Sequence, residues 1–156
     1  MSSENIIFRP ATTSDCEVIL HHRRSMFRDM GEGTPASLDR MVETTRPWLE
    51  RALSEGSYRA WLAEIAEGKV VAGGGILISS WPSRPEDSNT RRALILNVYT
   101  ESEFRRQGLA RHLMQRMIDW LKEAGFKSVA LHASDEGRAL YEALGFEPTN
   151  EMRLRF

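Results

Sequence analysis

Arg105-Arg106-Gln107-Gly108-Leu109-Ala110 is the stretch whose residue types and order point most directly to chemistry. It follows a strand-like run, Ala93 to Tyr99, and opens a helix-like one, Leu109 to Lys122. A strand, a glycine-bearing loop and an amphipathic helix together form a phosphate site. The first N–H groups of a helix lack intrahelical acceptors, and the helix dipole favours negative charge at that end. Gly108 lets the backbone come close to a ligand, and the small Ala110 does the same. Arg105, Arg106 and Arg111 add positive charge for charge-assisted hydrogen bonds. The expected ligand is therefore a phosphate-bearing molecule.

The elements that must position this loop follow from periodicity and turn signals. Ile6–Arg9 reads as a first strand. A turn from Pro10 to Asp15 leads into a helix, with Thr12 or Thr13 as N-cap and Val18, Ile19, Met26 and Phe27 at helical spacing. Gly31 and Gly33 end it. Ser37 is expected to cap a second helix that runs to about Leu53, with Pro47 kinking or splitting it. Tyr58–Ile65 and Val70–Ile78 read as strands around a turn at Glu67-Gly68-Lys69. Trp81 to Arg92 is a long polar loop with two prolines. After the strand at Ala93–Tyr99 and the third helix, Gly125 serves as a C′ residue. Lys127–His132 reads as a strand, Asp135–Leu144 as a short helix, and Phe146–Phe156 as one or two closing strands. The order β-α-α-β-β-β-α-β-α-β mixes hairpins with one β-α-β crossover, so the sheet is expected to be mixed.

Composition bounds the function. The 156 residues are 41% hydrophobic and 28% charged, with a formal net charge of −1. That is one domain of ordinary globular composition, residues 1–156, without the global basic field that favours nucleic acid. No apolar run approaches the roughly 18 residues that span a bilayer, so no membrane partner is expected. The start, Met1-Ser2-Ser3-Glu4-Asn5, carries no leader-peptide pattern. Cys16 is the single cysteine, which excludes an internal disulfide and a zinc cluster and fits a reducing cytoplasm. No residues have metal-ligand spacing, so no metal is expected.

These residues resemble the GCN5-related N-acetyltransferase (GNAT) superfamily. The family pattern [Q/R]-x-x-G-x-[G/A] stands here as Arg105-x-x-Gly108-x-Ala110, and Leu140-Tyr141-x-x-Leu144-Gly145-Phe146 looks like its L-Y-x-x-x-G-F. The element order agrees along nearly the whole chain. Asn97–Ala110, with Leu131–Ser134 and Thr149–Met152, looks like a subgroup of mostly uncharacterised bacterial members. The resemblance implies an α/β fold, α+β in some schemes. Its sheet is mixed and mostly antiparallel, with six to seven strands, about four flanking helices, and strands four and five splayed apart. It also implies acetyl-CoA as cosubstrate. Val98, Tyr99 and Thr100 would pair with the pantetheine arm. The amides of Arg106, Gln107, Gly108, Leu109, Ala110 and Arg111 would take the pyrophosphate, with Arg105 beside them. Ser134 stands where many members have an asparagine that contacts CoA, and it can cap the following helix instead.

Tyr141 maps to the family tyrosine that protonates the departing thiolate. A phenol of pKa about 10 is protonated at neutral pH and can donate; the alternative is a half-buried packing residue. No general base is legible. The fourth strand carries no carboxylate, and Asn97 can orient water but cannot act as the base. His132, on the fifth strand, is a candidate by residue type. His21 and His22 fall on the helix that borders the acceptor site in the family, but adjacent helical positions point in different directions. His112 reads as a surface or packing residue, Cys16 as a buried helix residue, and Trp81 as the tryptophan that opens the polar loop before the fourth strand.

The expected activity is direct acetyl transfer from acetyl-CoA to a primary amine of a small molecule, in the cytoplasm, with a homodimer open. Two other readings remain: an acetyltransferase for a protein or aminoacyl-tRNA amine, and a CoA-binding sensor without turnover. Arg23, Arg24, Arg28, Asp29 and Glu32 put both signs of charge near the acceptor side, so the charge of the acceptor stays open.

Overall fold

Five strands form one sheet in chain order: β1 (Ile7–Pro10), β2 (Tyr58–Glu64), β3 (Val70–Ser80), β4 (Arg91–Thr100) and β5 (Ala130–Leu131). The first four are antiparallel to their neighbours, and β5 runs parallel to β4. The structure, a computed structural model, describes residues 5–156; the leader-peptide expectation falls largely on residues 1–4, outside the described ones. α1 (Cys16–Asp29) and α2 (Pro35–Glu55) cover one face of the sheet, α3 (Leu109–Glu123) covers the other, and α4 (Arg138–Ala143) follows β5.

The period of two along β2 divides the core. Tyr58, Ala60 and Leu62 pack with Ile19, Leu20 and Leu49 of the two N-terminal helices. Trp61 and Ala63 pack on the α3 side with Leu113, Met114, Met117 and Leu121. Each large side chain so buried contributes roughly 1.5–3 kcal/mol gross, so α3 is firmly seated and the position of its first turn is fixed.

Helix boundaries follow local chemistry. Thr34, not Ser37, is the N-cap of α2, with Pro35 behind it. Ser37 completes a reciprocal box: its Oγ accepts from the Thr34 N–H at 2.8 Å, and Thr34 Oγ1 accepts from the Ser37 N–H at 3.2 Å. Pro47 does not split the helix, which is continuous from Pro35 to Glu55. Proline deprives the carbonyl four residues back of its donor; that residue, Glu43, is exposed, so water can replace the bond.

The end of the chain departs from expectation. The sheet has five strands among the described residues rather than six to seven. β5 is two residues long, α4 is six, and Phe146–Phe156 forms no strand. Met152, Leu154 and Phe156 alternate as a strand would, yet all three are exposed. Pro148 and the polar run around it interrupt the segment, and the short β5 offers little ladder to extend.

Gly73-Gly74-Gly75 lies inside β3, where glycine ordinarily weakens a strand. Each position faces a close neighbour. An added Cβ would fall 2.8 Å from Leu62 and 3.0 Å from His22 Nδ1 at Gly73, 2.9 Å from Met117 Cε at Gly74, and 2.1 Å from the Tyr58 hydroxyl at Gly75. Met117 ends in a flexible thioether, whereas Tyr58 is 1% exposed and its ring lies across Gly75. Gly75→Ala is therefore expected to destabilise by about 1–3 kcal/mol through overpacking, and by more than Gly74→Ala. Urea unfolding of both variants checks this, and equal midpoints would refute it.

Candidate active site

β4 loses one neighbour part-way along. It pairs with β5 only at Leu94↔Ala130 and Ile95↔Leu131, while its pairing with β3 continues to Thr100. Residues 96–100 thus have β3 on one side and no strand on the other. A bulge falls in the same stretch. Gly73 pairs with Tyr99 and Gly75 with Leu96, so two steps on β3 span three on β4. Asn97 absorbs the extra residue in the left-handed region at φ 58°. The alternation is broken there. Leu96 and Asn97 both point towards α1 and α2, Val98 packs on the α3 side, and Tyr99 lies near His21 and His22.

The open edge leads to the loop before α3. Arg106 and Gly108 have φ of 63° and 77°. Gly108 is the N-cap and supplies no side-chain acceptor to the first N–H groups of the helix. Its missing Cβ faces open space. Leu109 is anchored in the core, while Arg106, Gln107 and Arg111 are exposed. Arg105 is already engaged: its Nε donates to the Thr100 carbonyl at 2.9 Å and its Nη2 to Asp29 at 2.7 Å. That bond holds the Asp29 carboxyl below its usual range. The arginine therefore straps α1 to the loop, and the N–H groups are what the loop offers an anion.

On the other face of β4, a cavity of about 430 Å³ is lined by Ile19, Leu20, Arg23, Thr44, Thr45, Trp48, Leu49, Leu77, Leu96 and Asn97. Asn97 ties it together, accepting from Arg23 Nη1 at 2.8 Å and donating to the Tyr58 hydroxyl at 3.0 Å.

The acetyltransferase (GNAT) family model matches residues 20–146. The chain belongs to this family. A GCN5-related N-acetyltransferase from Ralstonia eutropha JMP134 has a crystal structure similar at a TM-score of 0.91 and 33% identity, covering 97% of this chain and 99% of that one. The fold also matches a predicted acetyltransferase from Clostridium acetobutylicum, solved with acetyl-CoA, at a TM-score of 0.87 and 24% identity over 97% and 96% of the two chains. Human N-acetyltransferase 8 is 31% identical over 102 residues, which are 64% of this chain and 43% of that protein. The chain thus spans less than half the length of the curated relative it matches.

Within this GNAT frame the other expected residues take distinct places. Tyr141 packs against the α3-side core, beside Phe146 and over Gly137, and burial raises its phenol pKa. Ser134 Oγ accepts from the Gly137 N–H at 3.1 Å, so it caps the approach to α4. His132 lies just past β5 and meets Glu151 at 3.0 Å on the surface. His21 Nε2 meets Glu101 at 2.7 Å. His112 stacks on Phe8, and Cys16 is buried with its thiol pKa pushed up. Trp81 is partly exposed at the mouth of the 81–90 loop, under Arg92. No group of residues that could hold a metal occurs among the described residues, and no helix there is long and apolar enough to cross a membrane.

The Arg23–Asn97–Tyr58 chain is the feature sequence reasoning missed, apart from naming Asn97 as a water-orienting group. The triple glycine was its signal, since glycine in a strand marks a close approach.

His22 is 1% exposed, its Nε2 has no partner, and burial lowers its pKa to about 4. The unfolded chain binds a proton near pH 6.5, so the contribution of neutral His22 is present above that pH. It is lost as pH falls towards 4. Stability is expected to drop by about 2 kcal/mol between pH 7 and pH 5, with His22→Leu removing most of the drop. Urea titrations at both pH values check this, and an equal drop in the variant would refute it.

Proposed function

We propose that the protein is an acetyl-CoA-dependent N-acetyltransferase that passes the acetyl group directly to a primary amine of a small molecule, in the cytoplasm. The observation that carries this is the unpaired β4 edge at 96–100, which runs into the uncapped start of α3. An extended pantetheine arm can add to such an edge beside Val98, Tyr99 and Thr100, with the pyrophosphate on the amides from Arg106 to Arg111. The solved relative from Clostridium acetobutylicum that holds acetyl-CoA supports the same ligand here. The cleft of about 430 Å³ on the α1/α2 face favours a small acceptor over a protein surface, and the near-zero net charge argues against tRNA.

In this reading the Val98 N–H polarises the thioester carbonyl and stabilises the developing oxyanion. A neutral amine attacks the acetyl carbon. An N–C bond forms and the C–S bond breaks; the leaving sulfur receives a proton from Tyr141, and the nitrogen releases one to water, from which the phenolate regains its own. Burial keeps that phenol protonated to above its ordinary pKa, so it is a donor throughout the neutral range. Holding both reactants at one point on β4 supplies further acceleration through proximity.

Calorimetric titration tests the cosubstrate. Acetyl-CoA is expected to bind at about micromolar Kd, 3′-dephospho-CoA to bind with it, and free pantetheine to fail. Gly108→Val, which strains the backbone and fills the open space at the loop, is expected to weaken binding at least about tenfold; unchanged affinity would remove the loop assignment. Tyr141→Phe should lower kcat by about 10²-fold with acetyl-CoA affinity nearly kept. Full turnover at saturating substrate would remove Tyr141 from the mechanism.

A further inference from the structure

Arg23 is the unusual charge in this molecule. It sits on the inner face of α1 with its side chain against Phe27, the guanidinium carbon 5.0 Å from the ring centre. Its Nη1 donates to the neutral Asn97, while its Nε is shut off from solvent with no acceptor. Desolvation lowers its pKa, as it does for a cation taken out of water without an anion beside it. The other arginines near the site behave differently. Arg24 pairs with Asp39, Arg28 and Arg105 with Asp29, and Arg46 with Glu17 and Glu43. Arg23 has no carboxylate partner among the described residues.

A half-buried cation without a carboxylate partner is costly and persists where something else compensates it. Arg23 lines the 430 Å³ cavity, and no Asp or Glu lines it. Thr44 and Thr45, which carry hydroxyls, also line it, and Trp48, Leu77 and Leu96 contribute apolar surface. A guanidinium offers a planar fork suited to a carboxylate. One guanidinium among apolar walls matches a single negative charge better than a phosphate dianion.

We infer that the acceptor is an amine that also carries a carboxylate, held by Arg23, with an apolar side chain against Trp48, Leu77 and Leu96. This rests on the proposed acetyl transfer. Arg23 acts here as a specificity-determining residue, and Asn97 with Tyr58 positions it. The geometry is self-consistent. Asn97 lies at the bulge, so the group that orients Arg23 is next in the chain to Val98, where the thioester carbonyl is proposed to sit. An acid bound at Arg23 would thus present its amine towards this stretch of β4, and α- and β-amino acids are the class to test.

The test is release of CoA thiol with matched pairs: L-phenylalanine and phenethylamine, L-leucine and 3-methylbutylamine, L-methionine and 3-(methylthio)propylamine. O-phosphoethanolamine supplies the phosphate arm. Each acid is expected to exceed its decarboxylated partner at least tenfold in kcat/KM. Arg23→Gln is expected to narrow that ratio to below threefold, mainly through KM for the acid, and Arg23→Lys to restore part of it. Circular dichroism melts confirm that the variants are folded, and acetyl-CoA titration shows that the cosubstrate still binds. Decarboxylated amines equal to the acids, a ratio unchanged in Arg23→Gln, or preference for the phosphate arm would overturn the inference. So would acetyl-CoA binding with no turnover of any acid, which leaves the cosubstrate assignment standing. Failure to bind acetyl-CoA at all would instead remove the proposed function beneath it.

Discussion

The extra residue in β4 is the constraint on which the rest of the site depends. A regular strand shows alternate side chains to alternate faces. With the bulge at Asn97, Leu96 and Asn97 face α1 and α2 together, and Val98 turns to the α3 side. One short stretch of backbone therefore serves two compartments. The cavity lies on one face, and the edge left open by β5 runs alongside it. Asn97 is suited to the left-handed φ that the bulge demands, since asparagine tolerates that region better than most residues. Its amide then satisfies Arg23 and Tyr58 at once, so strand distortion and polar network stabilise each other.

α1 couples the two compartments. Its C-terminal Asp29 holds Arg105 against the Thr100 carbonyl, which fixes the loop before α3. Its His21 reaches Glu101 at the end of β4, and its Arg23 reaches Asn97 in the middle of that strand. Three contacts from one helix thus span β4 from the bulge to the loop. The triple glycine in β3 makes this approach possible, because a Cβ at Gly73 would meet His22 and one at Gly75 would meet Tyr58. The cost of three glycines in a strand is offset by the packing of α1 and Tyr58 directly on the backbone.

The strand–loop–helix geometry around Gly108 was legible because it is local. Strand, arginine pair, glycine and helix lie in one unbroken run from Arg91 to Glu123, and each has a conformational reason that one sequence carries. α3 was legible to within a residue of its end for the same reason, through its apolar spacing. Arg23, Asn97 and Tyr58 are separated by dozens of positions, and only tertiary packing brings them together. Sequence reasoning placed Arg23 near the acceptor side but could not fix the acceptor's charge, because pairing decides that, and Arg24, Arg28 and Asp29 are neighbours in sequence that find other partners. The overcount of strands has a similar origin. Alternation in Met152–Phe156 is a local strand signal, but a strand needs a ladder, and β5 supplies two paired residues.

The missing general base looks different once the cavity is seen as a solvent. Its lining holds one cation, two threonines, an asparagine and apolar side chains, with no carboxylate to pair with an ammonium group. An amine entering as its cation would be desolvated beside like charge, and both effects lower its pKa. On the proposed reading, a carboxylate on the same molecule neutralises Arg23 and secures binding, but it does nothing to recover the hydration an ammonium loses. The free energy that binds the acid then favours the neutral amine, which is the nucleophile. A site built in this way needs no side chain to accept the first proton, since water can take it as the amine enters. The absence of a carboxylate from β4 is then consistent with turnover, because a nearby anion would stabilise the protonated, unreactive form of the acceptor.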